Sequence, residues 1–250
     1  MKILVACEES QRVCSAFRRL GHEAYSCDIL ECSGGHPEWH ILCDVLDILN
    51  PRTVTLNGIE TLIITFTTMD GIQHTINGRW DIIVGHPPCT YLSNAGACRL
   101  YPKRGQLNME RYRLGLEAKR FFLSILNADC DHIVVENPIP SRVFNLPPYS
   151  QIIQPFEYGE PYSKKTCLWI KGLPLLQPTK VLTEYKPYVS CNTSKNKGNK
   201  DKAGVSRAGG SAVIRSKTFL GIAEAIAQQF SKAVDDGTDR TSTESCTTGT

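Results

Sequence analysis

The chain has 250 residues and a mass of 27.8 kDa, enough for one domain with a modest insertion but not for two complete enzymes. Hydrophobic residues make up 41% and charged residues 21% of the chain, a globular composition that argues against a disordered or fibrous protein. The formal net charge of +3 does not by itself require a nucleic-acid partner.

The sequence gives no sign of membrane insertion or secretion. No apolar run reaches the roughly 18 residues that a membrane span needs. Glu8 and Glu9 interrupt the N-terminal apolar stretch before it could act as a signal peptide. We therefore expect a cytoplasmic protein with no membrane partner, whose 11 cysteines are reduced thiols.

The chain begins with a predicted β-α-β unit. Residues 2–6 are apolar with β-branched members, which indicates a buried strand, and 23–28 form a second strand candidate. Between them, residues 8–20 carry apolar side chains at helical spacing, and Gly21 stops the helix. Because such units place parallel strands in the middle of a sheet, the predicted fold class is α/β.

Residues 51–79 interrupt this pattern. Three strand-like runs alternate there with turn pairs that suit tight hairpins. The runs are 53–56, 61–67 and 72–76, and the pairs are Asn57-Gly58, Asp70-Gly71 and Asn77-Gly78. The pattern predicts a β-meander inserted between two strands of the main sheet.

Later segments continue the α/β pattern. Strands are predicted at 80–84, 133–135, 152–156 and 166–170, and helices at 108–127, capped by Asn108, and 218–233. The side chains expected on the buried helix faces are Met109, Tyr112, Leu116, Phe122 and Leu126, then Phe219, Ile222, Ile226 and Phe230.

Two C-terminal segments differ in composition from the rest. Residues 195–217 hold seven Lys or Arg against one Asp, so 184–217 is predicted to be a mobile basic loop suited to phosphate contacts. Residues 235–250 lack periodicity and are mostly Ser, Thr, Gly and Asp, which predicts a disordered tail. The predicted folded domain therefore spans 1–234.

Acidic residues follow the first three predicted sheet strands. Ligands of an open α/β sheet bind beyond the carboxyl ends of the strands, where Glu8, Asp28 and Asp44 lie. Carboxylates there suit a ligand with ribose hydroxyls and an amino-bearing base. The chain has no G-x-G-x-x-G, which disfavours a dinucleotide because a pyrophosphate needs close backbone approach. S-adenosylmethionine, a nucleoside cofactor without phosphate, fits this pattern.

A thiol and a carboxyl group follow the next two sheet strands. Pro87 and Pro88 hold the chain extended before Cys89. A cysteine thiolate is a soft nucleophile that can add to an electron-poor ring carbon. Glu136, at the end of the neighbouring strand, could protonate or hydrogen-bond that ring. Cys89 and Glu136 are therefore the candidate catalytic residues.

Two motifs resemble those of DNA cytosine-5 methyltransferases. Residues 85–93, Gly-His-Pro-Pro-Cys-Thr-Tyr-Leu-Ser, are similar to that family's G-G-P-P-C-Q-x-F-S motif, whose Cys attacks the base. Residues 136–138, Glu-Asn-Pro, resemble its E-N-V motif, whose Glu contacts the flipped cytosine. The chain to about residue 230 also resembles small DNA cytosine methyltransferases of bacteriophage and prophage genomes, with shared stretches such as 35–40 and 161–169. The resemblance implies a Rossmann-like class I methyltransferase sheet, and host cytoplasm as the location if a phage encodes the chain.

By this resemblance, Cys89 would add to carbon 6 of cytosine, Glu136 would stabilise the ring protonated at N3, and carbon 5 would accept the methyl group of S-adenosylmethionine. The candidate cofactor-binding residues are Cys7, Glu8, Ser10, Asp28, Ile29, Asp44, Val45 and Pro87. The candidate acceptor-binding residues are Pro88, Ser93, Asn137, Pro138, Lys164, Lys165 and Thr166.

The chain departs from the family at three places. Residues 6–11, Ala-Cys-Glu-Glu-Ser-Gln, replace the loop F-x-G-x-G-G, and 163–166 replace Q-x-R-x-R with lysines, which lack the guanidinium fork. Only about 35 residues, 184–218, stand where a target-recognition domain is expected. The expected partner is therefore double- or single-stranded DNA read loosely, or a free pyrimidine nucleotide.

Two alternative functions stay open at this point: methylation of a free pyrimidine nucleotide, and a catalytically inactive methyltransferase-like binding protein. A zinc deaminase is excluded because Leu92 stands where P-C-x-x-C needs its second cysteine. A cluster of possible ligands matches no common zinc spacing, so no metal is predicted. Its members are Cys27, Cys32, His36, His40 and Cys43.

Overall fold

A computed structural model describes residues 1–103, 105–188 and 217–244, without the side chains of residues 56, 97, 98 and 238–244. The strands in chain order are β1 Lys2–Ala6, β2 Glu23–Asp28, β3 His40–Leu42, β4 Arg52–Leu56, β5 Ile59–Thr67, β6 Gln73–Asn77, β7 Ile82–Gly85, β8 Ile133–Pro138, β9 Gln151–Ile153, β10 Tyr162–Ser163, β11 Thr166–Lys171 and β12 Lys186–Pro187. The α-helices are α1 Arg12–Arg19, α2 Ala97–Leu100, α3 Met109–Leu126 and α4 Leu220–Glu244. Within these ranges, no helix is both long and apolar enough to cross a membrane.

The main sheet has seven strands in the order β3-β2-β1-β7-β8-β11-β9. The first five strands in this order run parallel, whereas β11 is antiparallel to both of its neighbours. The chain order reverses between β1 and β7, which creates a topological switch point at their carboxyl ends. The prediction of an α/β fold with a mostly parallel sheet is confirmed.

The sheet is covered on both faces because successive strand residues point to opposite sides. On one face, Ile3 and Val5 of β1 share a core with α1 and α4, in which Phe230 is fully buried. On the other face, Leu4 packs in a second core with α3, whose Phe122 is fully buried. This double coverage fixes the carboxyl edge of the sheet as the accessible side of the parallel strands.

The inserted β-meander is confirmed. Strands β4, β5 and β6 pair antiparallel in a separate sheet. Asn57 and Gly58 both take left-handed backbone angles, φ 52° and 82°, as a tight turn between β4 and β5 requires. Ile64 and Phe66 of β5 are buried in the same core as α3, so the meander packs on that face of the main sheet.

Several predicted boundaries are wrong. Helix α1 begins at Arg12 rather than residue 8, and β9 ends at Ile153 because Pro155 starts a short 3-10 helix. Met109 was expected on the buried face of α3 but is 67% exposed, since it occupies the first turn. Asn108 does cap that helix, accepting a hydrogen bond from the Arg111 amide at 3.0 Å.

The C-terminal predictions also change. Helix α4 continues to Glu244, so residues 235–244 are helical and not part of a disordered tail. At the start of the predicted basic loop, 186–187 form β12, which pairs with β10 and ties this end of the loop to the fold. The remainder, 189–216, and the end of the tail, 245–250, lie outside the described residues.

Candidate active site

The carboxyl ends of the parallel strands bring the predicted catalytic residues to one edge of the main sheet. β7 ends where Gly85 pairs with Val135 of β8. β8 continues to Pro138 because β11 pairs with it on its other side. Glu136 is therefore the first β8 residue beyond the end of β7, level with His86 in the neighbouring chain segment.

Glu136 and His86 form a buried pair at this edge. The Nδ1 atom of His86 lies 3.1 Å from Oε2 of Glu136, and the two side chains are only 10% and 13% exposed. Burial opposes the charge of Glu136, but the hydrogen bond from His86 and the positive charge of Lys164 lower the pKa of the carboxyl below its ordinary value. Glu136 is thus held as a carboxylate.

The Cys89 thiol lies in the field of the same two charges. Burial raises the pKa of Cys89, and so does the negative charge of Glu136, while Lys164 lowers it. The side chain is half-buried rather than sealed in the core. The thiol and carboxyl groups predicted from the sequence therefore interact across the ends of β7 and β8.

The loop that carries Cys89 is tied to the segment after β8. The amide of Ser93 donates to the Cys89 carbonyl at 3.0 Å, and the amide of Asn94 donates to the Ile139 carbonyl at 2.8 Å. Ser93 is itself 8% exposed and bridges to Pro140. These backbone bonds tie the loop that carries Cys89 to the segment that follows β8.

Asn137 faces away from Glu136. It pairs with Cys167 of β11, and strand alternation directs it to the face on which Val135 and Cys167 are buried. Asn137 is 1% exposed, and among the described residues neither its Oδ1 nor its Nδ2 has a hydrogen-bond partner. A buried amide of this kind is costly unless it gains a hydrogen-bond partner.

A second group of predicted residues gathers at the ends of β1 and β2. Cys7 takes a left-handed backbone conformation, φ 59°, directly after β1. Burial raises the pKa of Cys7, and the carboxylates of Asp28 and Asp44 raise it further, so the three side chains lie within electrostatic reach of one another. Ile29, next to Asp28, is 59% exposed. Carboxylates and an exposed apolar side chain together match the hydroxyls and the ring of a nucleoside.

Glu8 has a different role from the one predicted. Its Oε1 accepts the amide of Val13 at 2.7 Å and its Oε2 accepts the amide of Cys14 at 3.1 Å, so it caps α1 from within the preceding loop. Glu8 is only 4% exposed, and burial raises the pKa of its carboxyl. Both oxygens are thus used by the helix, which leaves Asp28 and Asp44 as the acidic candidates for the cofactor.

The rest of the first loop is braced by its neighbours. The buried Gln11 donates to the His36 carbonyl at 2.7 Å and accepts the His36 amide at 3.0 Å. Glu9 hydrogen-bonds Ser33 and lies 3.7 Å from Lys217, whose Nζ also donates to Ser33 at 2.7 Å. Lys217 is the last residue of the basic segment 195–217, so that segment ends beside the predicted cofactor loop.

The remaining predicted residues lie at the same edge with different exposure. Pro87, Val45 and Thr166 are buried and can contribute only through their backbone atoms or packing, whereas Pro88 and Lys165 are exposed. Ser10, Pro138 and Lys164 are half-buried. Lys164 faces inward: it acts electrostatically on Glu136 and Cys89, and its Nζ lies 5.9 Å from the centre of the Phe219 ring.

No metal centre forms among the described residues, where no three of His, Cys, Asp and Glu are grouped to hold an ion. In the cluster considered from the sequence, Cys27 and Cys43 are free thiols with sulfurs 3.8 Å apart. His40 instead hydrogen-bonds Ser26 and the Leu30 carbonyl, at 2.9 Å each.

Two open cavities lie away from this edge. One, of about 610 Å³, runs along α1 and is lined by Arg18, His36 and Trp39 among others. The other, of about 290 Å³, lies between β3 and the meander, where Phe66 and Met69 line it. Neither includes Cys89 or Glu136.

Sequence reasoning missed three residues that shape the site. In the sequence, His86 differs from the resembled motif, which has glycine at that position, but nothing in the sequence indicates that it contacts Glu136. Gln11 and Arg111 gave no signal; Arg111, on α3, donates to the Thr90 carbonyl at 2.8 Å and so holds the loop after Cys89. Its guanidinium also lies 4.9 Å from the centre of the Tyr91 ring.

Comparisons with known proteins give little help. Neither a scan against models of protein families nor a search of curated proteins returned a match. Among the similar solved structures is a proposed DNA modification methyltransferase encoded within a prophage in E. coli, at 12% identity with a TM-score of 0.38. The match covers 75% of this chain and 53% of that one, so the chain spans about half the length of that protein. A likeness this low assigns neither a family nor an activity.

Proposed function

We propose that the protein is an S-adenosylmethionine-dependent methyltransferase that modifies carbon 5 of cytosine in DNA through Cys89. The observation that carries this proposal is the Cys89 thiol in the shared field of Glu136 and Lys164, where the carboxyl ends of β7 and β8 meet. A nucleophile, a carboxylate and a cation around one edge are the groups that addition to a pyrimidine ring requires.

The sheet supports the class I methyltransferase assignment. Its strands β3-β2-β1-β7-β8 follow a doubly wound order, with a switch point between β1 and β7. The antiparallel β11 lies between β8 and β9 and extends the sheet beyond the strand that carries Glu136. The proposed donor loop after β1 and the proposed thiol loop after β7 flank the switch point, so both reactants would meet there.

The residues at this edge fit the proposed cofactor chemically. Asp28 and Asp44 offer carboxylates to hydroxyl groups, and Ile29 offers an exposed apolar surface to a ring. S-adenosylmethionine would supply an electrophilic methyl group at this place. The residues proposed to hold it are those after β1, β2 and β3, with Glu8 acting indirectly as the cap that shapes the loop.

The chain's own residues have defined roles in the proposed reaction. Cys89 reacts as a thiolate, its proton having passed to solvent, and its sulfur bonds to carbon 6 of the base while N3 takes up a proton, which makes carbon 5 nucleophilic. After carbon 5 has taken the methyl group, a base removes the carbon 5 proton, N3 loses its proton, and the sulfur–carbon 6 bond breaks, which restores the ring and frees Cys89. Glu136, held as a carboxylate, stabilises the positive charge on a ring protonated at N3. Lys164 stabilises the thiolate before addition. A base inside a duplex must first leave the stack, at a cost of a few kcal/mol.

DNA is the proposed acceptor because of the charge next to the site. The basic segment within 195–217 has seven Lys or Arg, and its described end, Lys217, lies beside the first loop. Such a segment would hold phosphates without reading sequence. A free pyrimidine nucleotide is the second candidate acceptor, favoured by the short stretch, 184–218, available for recognition.

The test measures methyl transfer from radiolabelled S-adenosylmethionine to duplex DNA, single-stranded DNA and dCMP at several salt concentrations. The proposal predicts labelled DNA and binding that weakens steeply with salt. Labelling of dCMP alone, with little salt dependence, would establish the nucleotide alternative. If the protein binds DNA but neither binds S-adenosylmethionine nor transfers methyl groups, it is a methyltransferase-like binding protein. This alternative is favoured by Glu8, because both of its carboxylate oxygens are used by α1 and cannot hold a cofactor.

A further inference from the structure

His86 lies where the resembled cytosine-5 motif has glycine, and it reaches the carboxyl group proposed for catalysis. β7 ends at Gly85, and the amide of His86 still donates to the Ala6 carbonyl of β1 at 2.9 Å. From this position, His86 Nδ1 approaches Glu136 Oε2 to 3.1 Å. The two side chains are only 10% and 13% exposed. The contact therefore has little water to compete with it.

The charges around His86 favour its protonated form. Burial opposes the charge of the imidazole, but the hydrogen bond and charge of Glu136, together with the charge of Glu8, raise the pKa of His86. These carboxylates come from β8 and from the loop after β1. The opposing cation is Lys164, which follows β10. In the loop that also carries His86, the Cys89 thiol is half-buried and lies in the field of Glu136.

The imidazole is anchored through one nitrogen. Its Nε2 is buried and has no hydrogen-bond partner within the described part of the chain. The ring orientation thus depends on the bond from Nδ1 to Glu136. Likewise, Glu136 keeps one oxygen fixed by a donor from the neighbouring chain segment, which restricts rotation of its carboxylate.

We propose that His86 is the positioning residue of the active site, holding Glu136 as a fixed carboxylate so that it can meet the protonated edge of the acceptor base. This inference rests on the proposed cytosine-5 reaction. Without His86, a buried carboxylate has lost a donor and becomes either protonated or free to rotate, and both changes weaken its contact with the positively charged ring. The effect falls on turnover more than on binding of DNA, because the ring gains its charge only during reaction.

The variants His86→Gly, which restores the glycine of the resembled motif, and His86→Asn, which keeps a donor that does not titrate, test this role. His74→Asn on the meander is the matched control, since His74 is an exposed histidine whose ring contacts Thr68 and Phe66 of the meander. We expect His86→Gly to lower kcat about 10- to 100-fold with KM for DNA changed less than about threefold.

We expect His86→Asn to recover at least part of kcat and to lose the part of the pH profile due to His86. Wild-type kcat and pH profile in both His86 variants, folded by thermal melting, would overturn the inference.

A second measurement does not depend on activity. In protein with isotope-labelled histidine, NMR titration should give His86 a pKa above that of an ordinary histidine, and Glu136→Gln should bring it down. A His86 pKa that Glu136→Gln leaves unchanged would refute the positioning role even in an active enzyme. If wild-type protein methylates no acceptor while the NMR titration shows the pair, the proposed reaction fails but the holding of Glu136 by His86 stands.

Discussion

Tyr188 packs edge-on against Phe219, with ring centroids 4.7 Å apart. These residues flank the 28 residues at 189–216, so the chain leaves and re-enters the described part of the fold beside Tyr162 and Lys164. A segment returning to its starting point next to the proposed acceptor site is well placed to contact nucleic acid. We propose that the lysines and arginines of this segment contact DNA phosphates there.

The triple substitution Lys197→Gln, Lys200→Gln and Lys202→Gln tests this role. Each lysine that neutralises a phosphate adds to the salt dependence of binding, so we expect weaker DNA affinity and a logarithmic salt slope smaller by up to about 3. Fluorescence anisotropy with labelled DNA between low and moderate salt measures both. An unchanged slope would mean that the segment does not contact phosphate. Lys119→Gln, on α3 where Lys119 bonds the Asn145 carbonyl, is the control.

Lys164 and Lys165 are adjacent, but only Lys164 should affect the reactivity of the Cys89 thiol. Lys164 lowers the pKa of Cys89, so Lys164→Gln is expected to raise that pKa and slow alkylation of Cys89 at a given pH. Lys165 is exposed, and Lys165→Gln should leave the rate near that of wild type. Iodoacetamide labelling from pH 7 to 10, followed by mass spectrometry of the Cys89 peptide, gives both rates. Equal rates in the two variants would contradict the inward placement of Lys164.

Replacing two helical glycines, Gly115 and Gly237, by alanine should change the free energy of unfolding in opposite directions. A Cβ at Gly115 in α3 would lie 2.1 Å from the Phe144 ring, so Gly115→Ala should destabilise the fold by about 1–3 kcal/mol. A Cβ at Gly237 in α4 meets nothing within 4 Å, so Gly237→Ala should stabilise by up to about 1 kcal/mol. Urea unfolding of both variants measures the changes. Stabilisation by Gly115→Ala would show that α3 does not approach Phe144.

The His86–Glu136 pair predicts a pH-dependent contribution to stability. His86 has a raised pKa, so its contribution is full below the usual histidine pKa of about 6.5 and is lost as pH rises through the raised value. Glu136 has a lowered pKa, so its contribution is present above the usual glutamate pKa of about 4.3 and is lost as pH falls through the lowered value.

His86→Ala should therefore lower the free energy of unfolding most near pH 5–6, by about 3–5 kcal/mol, and by less at pH 9. Unfolding in urea at these pH values measures the difference from wild type. A cost that is the same at pH 6 and pH 9 would mean that His86 is not charged in the pair.

The sequence predicted the sheet well because its signals were local. The apolar runs at 2–6 and 80–84 and the turn pair Asn57-Gly58 depend on nearby residues alone, and each formed the expected element. The candidate catalytic pair was also identifiable, since Cys89 and Glu136 follow predicted strands. The carboxyl end of β8 could not be predicted from the sequence. Residues 136–138 belong to the strand because β11, about 30 residues further along the chain, pairs with them.

The chemistry that the sequence did not reveal comes from long-range contacts. Glu8 looked like a ligand residue because it follows a strand, but the backbone bends at Cys7 and turns its carboxylate into the start of α1. His86 looked like a substitution within a motif, and only the pairing of β7 with β8 puts it against Glu136. Neither contact is set by spacing in the sequence.

The most direct test of the proposed function is mass spectrometry of nucleosides from DNA incubated with the protein and S-adenosylmethionine. Wild-type protein should produce 5-methyldeoxycytidine, and Cys89→Ser should produce none above background. Cys130→Ser is the control: its thiol bonds the Trp80 and His132 carbonyls far from the site, bonds that a serine hydroxyl can keep, so its yield should match wild type. A different methylated nucleoside, or 5-methyldeoxycytidine formed equally by Cys89→Ser, would contradict the proposed role of Cys89.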